Sequence, residues 1–353
     1  MVGILCPFLN DFEPTSNQSG LRTRRTSYTG LVVTRRFTVY TKFFFASLAS
    51  SALAASMAFA QFPDRQINYI IPFVPGGESD IAARLQGKVA AKLTGKDFIV
   101  QNKAGAGGAL AWGQLNSMPN DGYTIMGSNL PHLILQPLEG QVPYKTDDIV
   151  NVFFFQYTAD ALVVSTDSPY KTFADLVAAA KANPEKLTIA GSGTNSANHM
   201  AYQRLGLQAK VKMTYIPFKG TGDLTTALLG KHVDAAMSYP TFAVANREKI
   251  RMLAVATPNR LPQFPNVPTF KELGFDWVDG AYRGVAVPKS TPEATRKQIS
   301  DLFLKINNDP EFRKQMLDGG FEPIDITYEK MPEFMKQRTI DTMPLAKQMG
   351  LVK

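Results

Sequence analysis

The feature that most constrains the fold is a recurring junction in which a short apolar run ends in a glycine-rich turn and a helical pattern follows. It occurs at residues 72–80, 190–196 and 217–223. Alternation of apolar runs with helical patterns is typical of an α/β protein, so we expect an α/β fold with largely parallel sheets. Glycine lets the backbone approach a ligand closely, and the start of a helix favours an anion. Three such turns at the carboxyl ends of strands therefore predict a cleft for an anionic ligand.

Apolar runs and end signals predict the individual elements. Strands are expected at residues 67–73, 98–100, 123–126, 187–190, 213–216, 233–237 and 252–256. A helix from residue 79 should bury a stripe with four-residue spacing, formed by Ile81, Leu85, Val89 and Leu93. Helix starts are predicted by the capping box of Thr172 with Asp175, by Thr291-Pro292 and by Asp309-Pro310, and a helix end is predicted at Gly230.

The N-terminal 60 residues have a different character. Their strong charges are mostly Arg and Lys, and an uncharged apolar run from residue 43 leads to Ala58-Phe59-Ala60. A basic flank, an apolar stretch and a small-residue site together predict a secretory signal peptide cleaved after Ala60. The alternatives are a membrane anchor and a twin-arginine signal. The residues ahead of the basic flank indicate either a start codon assigned too far upstream or an unusually long n-region. The only cysteine, Cys6, lies in this segment, so the mature chain would contain no disulfide and no thiol nucleophile.

Length and charge narrow the class further. A chain of 353 residues is about right for two domains. The whole chain has 38 basic and 30 acidic residues, of which 6 and 2 precede residue 61, so the mature chain is only mildly basic. Since no basic run suited to tracking phosphates is present, we expect no nucleic-acid partner.

Residues that would support catalysis do not form a coherent set. His132, His199 and His232 have no metal-ligand spacing with nearby carboxylates, so we expect no metal. Ser192 and Ser196 precede His199, but no Gly-x-Ser-x-Gly elbow surrounds either serine, and a packing role for the histidine is preferred. Residues 105–108 are glycine-rich but lack the rest of a dinucleotide fingerprint, and a turn packed against its own lobe is favoured. We therefore expect neither an enzyme nor a cofactor.

Several motifs together resemble the tripartite tricarboxylate transporter substrate-binding proteins, the Bug family. The resemblance covers residue 62 to the C-terminus and rests on Phe62-Pro63-Asp64-Arg65, Ile71-Pro72-Phe73-Val74-Pro75-Gly76-Gly77 with Asp80-Ile81-Ala82-Ala83-Arg84, Gln101-Asn102-Lys103-Ala104-Gly105-Ala106-Gly107-Gly108, Asn120-Asp121-Gly122-Tyr123-Thr124, Gly191-Ser192-Gly193-Thr194 with His199, Pro217-Phe218-Lys219-Gly220-Thr221-Gly222, Gly230 with Val233-Asp234, and Pro265-Asn266-Val267-Pro268-Thr269.

This resemblance implies a type II periplasmic binding protein, in which two α/β lobes close over a ligand cleft. It places lobe 1 at residues 61–160 and 285–353 and lobe 2 at residues 161–284, with crossings near residues 153–164 and 282–287. The family's ligands are usually small carboxylates, held largely by backbone N–H groups, hydroxyls and water. Carried over to this chain, and together with the third turn and the crossing segment, the expected ligand-binding residues are Pro75, Gly76, Gly77, Glu78, Ser79, Asp80, Ser192, Thr194, Asn195, His199, Lys219, Gly220, Thr221 and Arg283.

Two positions depart from the family pattern. Glu78 stands where glycine is common, so it adds a negative charge that would repel a second carboxylate or recognise a cationic or hydroxyl group. Arg283 lies in a Tyr-Arg-Gly segment that often reads Trp-x-Gly. It would either clamp a distal carboxylate or form a structural ion pair between the lobes. Glu78 at an early helix position, with Asp80, is also explained by capping.

The function expected from this resemblance is a monomeric periplasmic receptor that captures a small carboxylate, with di- or tricarboxylates favoured, and delivers it to the membrane permease subunits of a tripartite transporter. A ligand-sensing receptor for a signalling partner uses the same closure and remains an alternative. An enzyme on the same two-lobed scaffold is the other alternative.

Overall fold

The computed structural model describes residues 62–352. The predicted signal peptide and its cleavage point after Ala60 lie outside these residues. Among the helices of the described part, none is both long and apolar enough to cross a membrane.

The elements of the described chain fall into three consecutive groups. The first comprises β1 (Ile67–Ile71), α1 (Glu78–Thr94), β2 (Phe98–Asn102), α2 (Ala109–Trp112), β3 (Thr124–Leu130), α3 (His132–Glu139) and β4 (Val150–Ala159). The second comprises β5 (Ala161–Ser165), α4 (Phe173–Ala182), β6 (Thr188–Gly191), α5 (Ala197–Ala209), β7 (Thr214–Pro217), α6 (Thr221–Leu229), β8 (Ala235–Ser238), α7 (Pro240–Ala245) and β9 (Ile250–Val255). The third comprises β10 (Gly280–Val287), α8 (Glu293–Asn307), α9 (Pro310–Asp318), β11 (Glu322–Ile326) and α10 (Met331–Gln348).

Over residues 62–352 the strands form two sheets, ordered β11-β4-β10-β3-β1-β2 and β7-β6-β8-β5-β9. The α/β prediction and the two lobes are confirmed, but the expectation of largely parallel sheets is wrong. Strand β10 runs antiparallel to β3 and β4, and β5 runs antiparallel to β8 and β9. The reason is that the strands next to the crossings carry the chain from one lobe to the other, and they enter each sheet against the direction of its parallel strands.

The chain passes between the sheets at two adjacent points. Strand β4 ends at Ala159 in the first sheet and β5 begins at Ala161 in the second, while β10 begins at Gly280 in the first sheet. The N–H of Asp160 donates to the carbonyl of Asp279 at 3.0 Å, so the two crossings lie side by side. By sheet membership, residues 280–284 go with the first lobe, whereas the sequence placed them at the end of the second.

Helix α1 buries only part of the predicted stripe: Val89 is buried and Leu85 packs partly buried against the core, but the other two residues are exposed. Ile81 and Leu93 are 39% and 43% exposed. The buried face is made mainly of small residues, including Ala82, Ala83 and Ala90. Small side chains let the helix lie close to the first sheet, and this close approach brings the start of α1 to the space between the lobes.

Predicted helix ends are mostly confirmed. Thr172 and Asp175 form the reciprocal capping box of α4, and Asp309 accepts from the N–H groups of Glu311 and Phe312 at the start of α9. The prediction for Thr291 is wrong in detail, because Pro292 occupies the N-cap of α8 and no side-chain cap bond forms there.

Candidate functional site

A cavity of about 20 Å³ lies between the two lobes, where several strands give way to helices. Its walls come from both lobes and consist of Phe73, Gly77, Glu78, Ser79, Asn129, His132, Ser192, Thr221, Tyr239 and Arg283. The predicted cleft at strand ends is therefore present in the structure.

Helix α1 points its first turn at this cavity. Gly77 is its N-cap in extended conformation, and Glu78 and Ser79 follow as its first helical residues. The first N–H groups of a helix have no partner within the helix, and the helix dipole makes this end partially positive. The start of a 17-residue helix thus supplies donors and a field that both suit a carboxylate.

A buried ion pair forms one wall of the cavity. The guanidinium of Arg283 contacts the carboxylate of Glu78, and the two side chains are only 5% and 6% exposed. Arg283 also donates to Oγ1 of Thr158 at 3.3 Å and lies 4.7 Å from the ring centre of Tyr239. The hydroxyl of Thr241 donates to the other carboxylate oxygen of Glu78.

This geometry separates the two interpretations of Arg283. The guanidinium is engaged by Glu78, as the ion-pair alternative expected. The pair does not join the lobes, however, because α1 and β10 both belong to the lobe of the first sheet. The contact of this pair that crosses the cleft is the hydrogen bond from Thr241, which lies in α7 of the other lobe.

Burial controls the protonation of the cavity groups. Desolvation raises the pKa of Glu78, although the charge of Arg283 and the hydrogen bond from Thr241 oppose it. Burial, assisted by the charge of Arg283, lowers the pKa of His132 to about 3. His132 is therefore neutral near pH 7 and offers the cavity a donor or acceptor without a charge.

Six of the predicted residues line the cavity: Gly77, Glu78, Ser79, Ser192, Thr221 and Arg283. The other eight do not line it. Pro75, Gly76, Thr194 and Lys219 are exposed, while Asp80, Asn195, His199 and Gly220 support the turns from outside the cavity.

Asp80 stabilises the first turn. Its carboxylate accepts from the N–H of Gly76 at 3.0 Å and from the amide of Asn102 at 3.0 Å, and it pairs with Arg84. These hydrogen bonds, above all those from Arg84, lower the pKa of Asp80 in spite of its burial. Its role is to hold the turn in place, because its oxygens are already used.

Asn195 and His199 stabilise the second turn in a comparable way. Nδ1 of His199 accepts from the N–H of Asn195 at 3.0 Å, and its ring packs against Tyr215 with centroids 4.6 Å apart. Burial lowers the pKa of His199 to about 4. The packing role preferred for this histidine is what the structure shows.

The third turn lies directly against the first one across the cleft. A Cβ added to Gly222 would stand 2.6 Å from the carbonyl oxygen of Pro75, and one added to Gly77 would stand 3.1 Å from Oγ1 of Thr221. Glycine is needed here for close approach between the lobes, and the turn positions Thr221 at the cavity.

The glycine turn at residues 105–108 also meets the other lobe. Gly107 has φ +60°, and a Cβ there would come within 3.9 Å of Cα of Gly193. The expectation that this turn packs only against its own lobe is therefore incomplete.

Three cavity residues outside the glycine-rich turns were missed, namely Asn129, His132 and Tyr239, and Phe73 of the first turn was not among the expected ligand-binding residues. Asn129 and His132 flank the β3–α3 junction, and Tyr239 is the N-cap of α7. These junctions contain Pro131 and Pro240 instead of glycine. A search for every apolar run followed by a helix start, with proline accepted as the turn residue, would have found them.

A second cavity of about 220 Å³ adjoins the first and shares Glu78, Thr221 and Tyr239 with it. Its apolar wall is formed by Ile81, Phe242, Val244, Ala245 and Phe321. Glu78 thus stands at the boundary between a small polar cavity and a larger apolar one.

Comparison with known proteins agrees with this architecture. Residues 81–351 match the family model described as tripartite tricarboxylate transporter family receptor. The chain is 32% identical over 322 residues to the UPF0065 protein in the gbd 5′ region of Cupriavidus necator, covering 87% of this chain and 95% of that one. The periplasmic binding protein BugD superimposes with a TM-score of 0.77 at 26% identity, over 83% of this chain and 100% of that one. MatC from Rhodopseudomonas palustris superimposes with a TM-score of 0.75 at 24% identity, over 81% and 100%.

The family is one of binding proteins rather than enzymes, and solved relatives such as BugD are described as periplasmic. The two lobes, the cleft at the strand ends and the match over residues 81–351 lead to the same conclusion. This chain belongs to the tripartite tricarboxylate transporter receptor family.

Proposed function

We propose that this receptor binds a small organic carboxylate in the cavity between its lobes and presents it to the membrane subunits of a tripartite transporter. The observation that carries the proposal is the first turn of α1, which faces a buried cavity completed by Ser192 and Thr221 of the other lobe. Amide donors, hydroxyls and the helix dipole together suit a carboxylate better than a neutral group.

Solved relatives support the ligand class. MatC was solved with bound malate, and another R. palustris protein was solved with adipate. The family resemblance favoured di- or tricarboxylates, and Arg283 was one candidate cation for a second carboxylate. Since Arg283 is paired with Glu78, we propose here only the carboxylate class.

The test is a panel of carboxylates and their neutral amides, added to the purified mature chain. At a hundredfold excess over Kd, a ligand that binds only the folded protein stabilises it by ~2.7 kcal/mol. We expect carboxylates to raise the melting temperature and the matching amides to have no effect. Stabilisation by sugars or cations alone would contradict the proposal.

We further propose that the receptor is exported and cleaved after Ala60, as the basic flank and the Ala-Phe-Ala site indicate. Intact-mass analysis of the periplasmic fraction should give a chain that begins at Gln61. A full-length product confined to the cytoplasm would refute export.

A further inference from the structure

The carboxylate of Glu78 is paired with Arg283, the arginine that lines the small polar cavity. It lies in the wall shared by the small polar cavity and the larger apolar one, and it is buried with Arg283 and Thr241. The chain thus supplies its own anion to the arginine at this point of the cleft.

The charges around both cavities sum to zero. Among the residues that line them, the ionised side chains are Glu78 and Arg283, and these two are paired. His132, the other titratable group next to the polar cavity apart from Tyr239, is neutral near pH 7. A carboxylate on the start of α1 has donors there, but a second one would meet no free cation within these walls.

A second carboxylate would also be repelled. Like charges within a few ångströms in a buried site disfavour each other strongly, and a buried anion without a partner is costly. The adjoining apolar wall favours a hydrocarbon group instead, because burial of apolar surface lowers the free energy. This wall consists of Ile81, Phe242, Val244 and Phe321.

We propose, building on the proposed function, that this receptor takes a monocarboxylate with an uncharged, largely apolar body, and that Glu78 excludes dicarboxylates. The carboxylate lies at the start of α1, and the body extends past Glu78 and Tyr239 into the larger cavity. Glu78 is thereby the residue that sets specificity, through its pairing with Arg283.

Matched acids test this directly. Adipate and hexanoate have six carbons each and differ by one carboxylate, and malate and 3-hydroxybutyrate form a second such pair. By calorimetric titration of the wild type, each monocarboxylate should bind at least ~10-fold tighter than its dicarboxylate, which corresponds to the loss of one charge-assisted contact.

Replacing Glu78 should reverse the preference. Glu78→Gln keeps the shape and an acceptor for Thr241 but leaves Arg283 free for a ligand. The ratio of adipate to hexanoate affinity should rise ~10-fold to 100-fold. The double variant Glu78→Gln with Arg283→Met removes that cation as well, so the gain for adipate should disappear.

Glu293→Gln is the matched control. It removes the same charge from a surface pair with Lys297, and the affinity ratio should stay at the wild-type value. Equal or tighter binding of the dicarboxylates to the wild type would overturn the inference while leaving the proposed function intact. Binding of none of the four acids would overturn the inference, and the wider panel of carboxylates and amides would then decide the proposed function separately. The wild-type comparison decides even where a variant fails to fold.

Discussion

At the scale of single residues, the buried pair of Glu78 and Arg283 is the most consequential feature. Two charges are withdrawn from water, and each has the other as its main partner. A buried pair of this kind contributes little net stability, but loss of one partner leaves an uncompensated charge. Replacement of either residue therefore leaves the other one buried without its main partner.

Arg283→Met alone should destabilise the protein by ~3–5 kcal/mol at pH 7, because the carboxylate of Glu78 is left buried without its cation. Adding Glu78→Gln should recover most of this loss. Urea denaturation of both variants and of Glu78→Gln completes the double-mutant cycle. The penalty of Arg283→Met should shrink as the pH falls, since the orphaned carboxylate then protonates. Additive effects of the two substitutions would contradict the coupling.

His132 should make stability depend on pH. Its pKa is lowered from 6.5 to about 3 in the folded protein, so below pH 6.5 the unfolded chain binds the proton more readily. The stabilisation that results from this lowered pKa is fully present above pH 6.5. It is lost as the pH falls, at ~1.4 kcal/mol per pH unit. Between pH 6 and 4.5, the free energy of unfolding should fall by ~1.5–2 kcal/mol more in the wild type than in His132→Gln. Parallel pH profiles of the two proteins would show that His132 keeps its ordinary pKa.

At the scale of elements, the turns matter because they let two lobes approach closely. Gly222 and Gly77 have no side chains where the first and third turns meet, and Gly107 meets Gly193 beside them. At each of these glycines, the backbone of one lobe lies close to the other lobe.

Gly222→Ala should hold the lobes apart. Its Cβ would stand 2.6 Å from the carbonyl oxygen of Pro75, a backbone atom that cannot rotate away. We expect ligand affinity to fall ~10-fold or more, mainly through faster dissociation, with a small change in stability without ligand. Gly87→Ala is the matched control, since it lies inside α1 with an ordinary contact of 3.4 Å to Phe98 and should stabilise the helix slightly. Unchanged affinity in Gly222→Ala would mean that closure does not need this contact.

At the scale of the whole molecule, hydrogen bonds at the rim join the lobes in addition to the two crossings. The amide of Asn195 donates to Glu139 at 2.6 Å, and the amide of Gln263 donates to the carbonyl of Leu317 at 2.9 Å. Both bonds link the lobe of the first sheet to that of the second. They are expected to contribute to closure rather than to the folding of either lobe.

Removing both rim bonds with Glu139→Ala and Gln263→Ala should weaken ligand binding ~3-fold to 10-fold, a small effect because the side chains of Glu139 and Gln263 are exposed to water. Stopped-flow measurement should place the change in the dissociation rate. Glu311→Ala with Gln315→Ala removes an acid–amide pair within α9 and should leave binding unchanged. An equal loss in both double variants would exclude a specific role for the rim.

The sequence by itself determined the α/β class, the two lobes, most helix ends and six cavity residues. The class, the helix ends and the glycine-rich turns depend on periodicity, capping and turn chemistry, which are local along the chain, whereas the two lobes and the crossing segment that contains Arg283 were implied by the family resemblance. Only the tertiary structure decided the mixed direction of the sheets, the face that α1 buries, and the proline-containing junctions at Asn129, His132 and Tyr239. It also decided that Arg283 forms an ion pair with Glu78, which lies 205 positions earlier in the chain. Pairings of this kind depend on which surfaces meet across the fold, and no local pattern encodes the distance between two buried charges.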